Sequence, residues 1–211
     1  MDGQVFANRR EAGAVLAAEL ERYKGRGDVV VLALPRGGVP VGYEVAKALD
    51  APLDVFVVRK LGVPGHRELA MGAIAPGGVR VLNRSIVDWY RIPPHAIEDT
   101  AREELAELER REHAYRGARG PLDLAGKTVI LVDDGLATGS TMKAAVQAVR
   151  ELGPARVVVA VPTGARDTCA SMRRLADEVV CAHSPEDFSA VGDWYADFSQ
   201  TTDSEVRELL A

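Results

Sequence analysis

Short apolar runs alternate with longer amphipathic segments along most of this chain. The runs are rich in valine, isoleucine and leucine and predict strands buried on both faces, at residues 28–34, 53–58, 127–132, 155–161 and 177–182. Segments with apolar residues three and four positions apart predict helices, at residues 41–49, 142–152 and 165–175. This alternation predicts an α/β fold, with a doubly wound, mainly parallel sheet flanked by helices.

Two other segments have a clear helical pattern. Near the N-terminus, Asn8 is suited to cap a helix whose apolar stripe includes Leu16 and Leu20, and Glu11 stands at the capping-box spacing. Residues 94–116 predict a much longer helix, which at 1.5 Å per residue would exceed about 30 Å. Its other positions are heavily charged, so we interpret them as a solvated face. Part of this helix is also a candidate contact surface for a homodimer.

The segment 129–142, with the sequence VILVDDGLATGSTM, combines a strand, two carboxylates and a loop of small, hydroxylated residues. The carboxylates, Asp133 and Asp134, stand where a buried strand leaves its sheet. The loop leads into a helix N-terminus, where free backbone N–H groups and the helix dipole favour an anion. Carboxylates suit hydroxyl groups or a hydrated divalent metal rather than a phosphate. A phosphorylated sugar would bind to both parts of the segment, with its phosphate at the helix N-terminus and its hydroxyl groups at the carboxylates.

Two other strand ends carry basic, glycine-rich segments. Arg36 and the two glycines after it could present a guanidinium and bare N–H groups to an oxyanion. Lys60 and Arg67 belong to a stretch of few apolar residues, 59–68, which predicts a mobile loop. Ligands of parallel sheets bind outside the carboxyl ends of the strands, so we expect all three segments to meet at one edge.

Each of these features has a plainer interpretation when it is taken alone. Acidic residues at strand ends often only cap helices. Loops of glycine, serine and threonine are common in α/β proteins, and an arginine in a tight turn is often only a surface residue. The convergence of three loops suited to phosphate favours a ligand site over these alternatives.

Composition and charge narrow the classes of function. With 211 residues, 47% of them hydrophobic, and a net charge of −5, the chain has the composition of a globular protein and no basic excess for nucleic acid. No apolar run approaches the roughly 18 residues of a membrane span, and the N-terminus lacks the order of a signal peptide. The only cysteines, Cys169 and Cys181, predict buried thiols. We expect a cytoplasmic protein that binds neither nucleic acid nor membranes.

The segment 129–142 resembles the phosphoribosyl-diphosphate (PRPP) motif of the type I phosphoribosyltransferases. The match comprises an apolar strand, two acidic residues, a few variable residues, then Thr-Gly and a hydroxyl-rich helix start. The chain is similar to the bacterial group called predicted phosphoribosyltransferases. The resemblance implies transfer of the 5-phosphoribosyl group of PRPP to a nitrogen nucleophile such as a nucleobase, with Mg²⁺ and release of pyrophosphate. The alternative is a regulatory protein of the same fold that senses PRPP or nucleotides.

The resemblance also implies roles for individual residues. Asp133 and Asp134 would hold the ribose hydroxyls, directly or through water on Mg²⁺. Lys60 and Arg67 would belong to a lid that closes over PRPP and neutralises the departing pyrophosphate. The other residues implied to bind PRPP lie in the same loops: Arg36, Gly37, Gly38, Arg59, Ala137, Thr138, Gly139, Ser140 and Thr141.

The acceptor is the least defined part of this interpretation. Hypoxanthine-guanine enzymes of the family carry an aspartate where this chain has Ala137, which disfavours those two bases and leaves the general base open. Residues 1–182 are expected to form the core and residues 183–211 a C-terminal hood. Within the hood, Phe188 or Trp194 would contact the acceptor.

Overall fold

The computed structural model of the protein describes residues 6–211. Within this range, seven α-helices and eight β-strands follow one another in the order α1 (Arg9–Glu19), β1 (Val29–Ala33), α2 (Gly38–Leu49), β2 (Leu53–Val55), β3 (Arg59–Val63), β4 (His66–Ala75), β5 (Val79–Leu82), α3 (Arg84–Trp89), α4 (Pro94–Arg116), β6 (Thr128–Val132), α5 (Ser140–Arg150), β7 (Arg156–Thr163), α6 (Arg166–Met172), β8 (Glu178–His183) and α7 (Asp203–Leu210).

Parallel strands form the central sheet, in the order β2-β1-β6-β7-β8. Helices α1 and α2 cover one face, and α5 and α6 cover the other. Neighbouring residues of β6 therefore enter different cores: Ile130 shares a core with Leu16 and Val41, and Leu131 shares one with Val146. Burial on both faces explains the unbroken apolar runs. The predicted doubly wound, mainly parallel α/β fold is confirmed.

A second sheet of antiparallel strands, β3-β4-β5, includes residues 59–63 and 66–68 of the segment that was expected to be a mobile loop. Strands β3 and β4 form a hairpin, and Gly65 in its turn has a φ of 78°. Leu61 and Val63 are 0% and 2% exposed. The prediction of a loop was wrong because these two apolar residues, although few, alternate with the period of two that is typical of a strand.

The long charged helix is present with the predicted bounds, as α4. Its apolar stripe, with Ile97, Ala101, Leu108 and Tyr115, is buried against the second sheet and α7. The stripe is thus already covered within the chain, and a homodimer contact along this helix stays a prediction. Of the helices described between residues 6 and 211, none is both long enough and apolar enough to cross a membrane.

Two helix starts are set by local chemistry. The side chain of Asn8 accepts hydrogen bonds from the N–H groups of Arg10 and Glu11, so α1 begins where the sequence predicts. Helix α5 begins at Ser140, two residues earlier than predicted. Gly139 before it adopts the left-handed conformation with a φ of 70°, which turns the loop directly into the helix.

Two further differences depend on partners remote in the chain. Strand β2 ends at Val55 because its partner β1 ends at Ala33, the residue that pairs with Val55. Helix α3 was not predicted. It begins after Asn83, whose side chain accepts a hydrogen bond from the N–H of Ile86, and it precedes the long helix α4.

Candidate active site

The loops that follow β1 and β6 touch each other at the carboxyl edge of the central sheet. A Cβ atom added to Gly38 would lie 2.8 Å from the carbonyl oxygen of Val132 and 2.9 Å from Cα of Asp133. One added to Gly37 would overlap Oδ2 of Asp134. Only glycine leaves room for so close an approach. The two carboxylates therefore lie directly against the glycine pair that the resemblance assigns to PRPP binding.

Replacement of Gly38 tests this contact. Gly38→Ala is expected to lower the free energy of unfolding by about 2 kcal/mol, because the added methyl group would overpack a contact with backbone atoms that cannot turn away. Gly27→Ala is the matched control, since none of the described atoms lies within 4 Å of a Cβ atom there. Denaturant titration measures both variants, and equal losses would contradict the close approach of the two loops.

The segment between β7 and α6 shapes the loop that precedes α5. The N–H of Leu136 donates to the carbonyl oxygen of Thr163 at 3.0 Å, and the N–H of Ala165 donates to the carbonyl oxygen of Leu136 at 2.9 Å. The hydroxyl of Thr168 donates to the carbonyl oxygen of Ala137 at 2.6 Å. These bonds hold the loop backbone in one conformation before any ligand arrives, which favours binding because less ordering is needed.

The start of α5 is open to a ligand. Gly139 at the N-cap position supplies no side-chain hydrogen bond to the helix. Thr138 and Ser140 are exposed, and the Thr138 hydroxyl lies 3.5 Å from the N–H of Ser140. Free N–H groups and hydroxyls at a helix N-terminus suit a phosphate.

The two carboxylates differ in their partners. Oδ1 of Asp133 accepts a hydrogen bond from the N–H of Asp134 at 2.9 Å, which is a local contact. Oδ2 of Asp134 accepts a hydrogen bond from Nε of Arg9 at 2.9 Å. The side chains of Arg9 and Asp134 are only 12% and 15% exposed. Asp134 is therefore held by helix α1, whereas Asp133 has no ion pair with any residue between 6 and 211.

Arg9 also joins α1 to the C-terminal segment. Its Nη1 donates to the carbonyl oxygen of Ser199 at 2.7 Å, and its guanidinium lies 4.0 Å from the ring centre of Phe198. The hydroxyl of Tyr195 donates to the carbonyl oxygen of Asp134 at 2.5 Å. Segments from near both ends of the chain therefore meet at the second carboxylate.

Burial raises the pKa of both carboxyl groups. The negative charge of Asp134 raises the pKa of Asp133 further, whereas the guanidinium of Arg9 opposes the rise for Asp134. Two poorly hydrated carboxylates that share one cation would be stabilised by hydroxyl donors or by a second cation. Between residues 6 and 211 no group of three or more His, Cys, Asp or Glu side chains is arranged to hold a metal ion.

The structure brings one predicted cation to residues 137–141, which we call the phosphate loop. Nζ of Lys60 donates to Oγ of Ser140 at 3.1 Å. Arg36 follows a cis peptide bond, and its guanidinium lies 3.5 Å from Oδ1 of Asp203 in α7. The same oxygen accepts a hydrogen bond from the hydroxyl of Tyr115 at 2.9 Å. Arg36 is thus at the predicted edge of the sheet, but its charge is directed to α7.

Of the two other predicted cations, Arg59 contacts α4 and Arg67 lies near it. Arg59 pairs with Glu104 at 2.6 Å. Arg67 lines a cavity of about 450 Å³ between the β3–β4 hairpin and α4, together with His95 and Asp99. A contact of Arg59 or Arg67 with PRPP stays a prediction.

The aromatic residues of the predicted hood pack on one another. The rings of Phe188 and Trp194 are stacked with centroids 6.1 Å apart, and the ring of His183 lies 4.9 Å from that of Trp194. His183 is in register with Thr163 of the neighbouring strand. Thr163 Oγ1, His183 Nε2 and Trp194 Nε1 are buried without a hydrogen-bond partner among the described residues. Three such atoms in one region are unusual in a folded protein, where buried polar groups are nearly always hydrogen-bonded.

Sequence reasoning missed two residues that shape the site. Arg9 lies 125 positions from Asp134, and Thr168 lies 31 positions from Ala137. No local pattern distinguishes Arg9 from the neighbouring Arg10, so only the packing of α1 reveals its role. For Thr168, the sequence offered one indication of a role in the site, namely its position in the first turn of the helix that follows β7.

A model of the phosphoribosyl transferase domain matches residues 3–198 of this chain. The crystal structure of the protein TT1426 from Thermus thermophilus superposes with a TM-score of 0.87 at 43% sequence identity, and the match covers 98% of each chain. The sequence match identifies the family, and the superposition supports the fold.

Two curated relatives extend the comparison. A protein of Mycobacterium tuberculosis H37Rv, whose name assigns it provisionally as a phosphoribosyl transferase, is 50% identical over 207 residues, which are 98% of this chain but 46% of that protein. The bifunctional protein PyrR of Chloroflexus aurantiacus is 37% identical over 103 residues, 46% of this chain and 57% of PyrR. The chain thus spans about half the length of the curated relatives it matches.

Proposed function

Because this chain belongs to the phosphoribosyl transferase family, we propose that it transfers the 5-phosphoribosyl group of PRPP to a nitrogen atom of a small-molecule acceptor, with release of pyrophosphate. The acceptor is a nucleobase or a related heterocycle. In this reaction the bond between the ribose anomeric carbon and pyrophosphate breaks as a bond to nitrogen forms. Positive charge develops on the sugar and negative charge on the leaving group, so catalysis consists mainly of positioning and charge stabilisation.

The meeting of three loops at one sheet edge carries this proposal. The glycine pair after β1 lies against both carboxylates after β6, and Lys60 of the second sheet reaches Ser140 at the start of α5. A ligand in this place would find an anion site, hydroxyl-binding carboxylates and a cation together. PRPP carries the matching groups, a 5-phosphate, ribose hydroxyls and a pyrophosphate.

Each part of the site has a separate task in the proposed reaction. The open N-terminus of α5 and residues 137–141 bind the 5-phosphate. Asp133 binds a ribose hydroxyl with the carboxylate oxygen that accepts no hydrogen bond from the described residues, and Asp134, fixed by Arg9, lies beside it. Lys60 contacts Ser140 in this conformation, and a movement of its hairpin would bring it to the charge that develops on pyrophosphate and limit access of water.

The donor set also fits Mg²⁺. Asp133 and Asp134 offer only oxygen ligands, and Mg²⁺ keeps several water molecules where few carboxylates are available. When bound, the ion would supply positive charge beside the ribose and pyrophosphate oxygens. The raised pKa of Asp133, caused by burial and by the charge of Asp134, is consistent with a site that is completed by a cation.

The buried polar atoms of the hood support a location for the acceptor. Thr163, His183 and Trp194 each hold a polar atom near the end of the sheet that is unpaired among the described residues. A Cβ atom on Gly135 would overlap the side chain of Val191, so the hood lies directly on the loop that would bind PRPP. A heterocycle with donors and acceptors on its edge would satisfy these atoms once a movement of the hood exposed them, and Phe188 or Trp194 would offer an aromatic face.

An assay of pyrophosphate release tests the proposed reaction. The protein is incubated with PRPP, Mg²⁺ and each of a panel of purine, pyrimidine and related heterocycles. Release is expected with at least one acceptor, and Lys60→Gln should lower kcat by roughly 100-fold, the typical effect of removing one stabilising donor. Lys24→Gln removes an exposed lysine in the turn after α1 and should leave kcat unchanged.

The same experiment separates the enzyme from a regulatory protein. Saturable PRPP binding without release in the presence of any acceptor would overturn the enzymatic proposal in favour of a PRPP sensor. Absence of PRPP binding would overturn both. Equal effects of Lys60→Gln and Lys24→Gln would remove Lys60 from the proposed mechanism.

A further inference from the structure

A cleft of about 560 Å³ separates the second sheet from helix α5. Strands β4 and β5 form one side, and the first two turns of α5 form the other. Three basic residues contribute to its lining: Lys60, Arg84 and Lys143. The volume is in the range of pockets that bind small organic ligands.

The charges in this cleft are not neutralised by the described part of the protein. No aspartate or glutamate of residues 6–211 lines it, and none of its three basic side chains forms an ion pair within that range. Arginines just outside it are paired, for instance Arg59 with Glu104 and Arg80 with Glu98, both at 2.6 Å. In a chain of net charge −5, a cluster of like charges without counter-charges is unfavourable unless an anion offsets it.

The remainder of the lining is suited to an apolar, flat group. Leu82 is 40% exposed in β5, and its neighbours on this wall are small or apolar: Ala70, Ala73, Val81 and Leu175. The side chains of Asn83 and Gln147 add amide donors and acceptors. The cleft therefore combines a cationic region for a phosphate with an apolar wall and hydrogen-bonding groups for a ring.

We propose that this cleft binds a nucleoside 5′-monophosphate beside the phosphate loop, with which it shares Ser140. Arg84 and Lys143 bind the phosphate by charge-assisted hydrogen bonds, and the base lies on the Leu82 wall. The cleft adjoins the candidate active site, because Lys60 lines it and also donates to Ser140.

A nucleotide bound in the cleft would contact the second sheet and α5 at the same time. It would therefore favour the conformation in which Lys60 contacts Ser140. This regulatory consequence rests on the proposed function, in which Lys60 acts on the leaving group and a nucleotide is the class of product. The binding of a nucleotide in the cleft does not rest on it.

Calorimetric titration with adenosine 5′-monophosphate, without PRPP, tests the site. The wild-type protein should bind the nucleotide, and unphosphorylated adenosine should bind much more weakly. Arg84→Gln with Lys143→Gln should weaken the cleft affinity by roughly 30-fold. The matched control, Lys47→Gln with Arg174→Gln, removes the same charge from exposed positions outside the cleft and should change the affinity by less than about twofold.

A third variant separates the cleft from the candidate active site. Asp133→Asn leaves the cleft untouched, so the nucleotide binding should survive in it. Three results would overturn the proposal: no binding to the wild-type protein, equal weakening in the cleft and control variants, or binding lost in Asp133→Asn. Because none of these titrations contains PRPP or an acceptor, their failure is distinct from a failure of the proposed reaction.

Discussion

Asp133→Asn is expected to lower kcat/KM for PRPP by roughly 100-fold, the effect of losing about 3 kcal/mol from a charged hydrogen bond to the sugar. The structure singles out this carboxylate because it has no ion pair among the described residues, whereas Asp134 is held by Arg9. Asparagine keeps the shape of the side chain, so the fall in kcat/KM would measure the effect of the lost negative charge. Pyrophosphate release under single-turnover conditions measures it.

The same variant should be more stable than the wild-type protein when no ligand is present. Burial and the charge of Asp134 raise the pKa of Asp133, so the ionised form is disfavoured in the folded state. Stability is then lost as the pH rises through the ordinary aspartate range towards the raised pKa. Asp133→Asn removes this pH-dependent loss of stability. The Tm of the variant should therefore exceed that of the wild-type protein at neutral pH, and the two should be equal in strong acid, where Asp133 is protonated. Asp123→Asn, at an exposed site, is the control and should show neither effect. A fall in Tm would contradict the assignment of Asp133 as a strained, ligand-directed group.

Arg9→Met is expected to lower the free energy of unfolding by about 3 kcal/mol, because it leaves the carboxylate of Asp134 poorly hydrated and without its cation. For a chain of this size the loss corresponds to a Tm lower by roughly 6–12 °C. Methionine preserves much of the packing of the arginine stem, so the lost charge dominates. Thermal and denaturant unfolding both measure the change.

Arg10→Met is a matched control on the same helix. Arg10 is 53% exposed and pairs with Glu44 at 3.3 Å, and an exposed pair of this kind contributes less than about 1 kcal/mol. Combining Arg9→Met with Asp134→Asn should destabilise the protein by less than the sum of the two single changes, because the unpaired charge is gone. Additive losses, or equal losses for Arg9 and Arg10, would show that the Arg9–Asp134 pair does not hold the C-terminal segment to the site.

The two adjacent carboxylates therefore have different roles: Asp134 forms an ion pair that stabilises the fold, and Asp133 is left to bind a ligand. By sequence they are equivalent, and a double replacement by asparagine would have been the natural test of the site. The Arg9 contact makes that test ambiguous, since one of the two changes would disturb the fold as well as the ligand. Single variants separate the two roles.

The sequence by itself determined the features that depend on local pattern. Strands buried on both faces require continuous apolar runs, and helices in an α/β fold require a periodic apolar stripe, so the central sheet and α4 could be predicted. A strand, two carboxylates and a hydroxyl-rich turn at residues 129–142 are contiguous, so the candidate phosphate site could be located before the fold was known.

Only the tertiary structure decided which remote groups complete the site. The partner of Asp134 lies 125 positions away and the serine reached by Lys60 lies 80 positions away. Local spacing carries no signal of such contacts. The β3–β4 hairpin was hidden for a related reason: a short strand with only Leu61 and Val63 inward becomes favourable once α4 covers it. Burial across the chain, not local preference, supplies the free energy for these arrangements, because each contact forms only when the elements around it have packed.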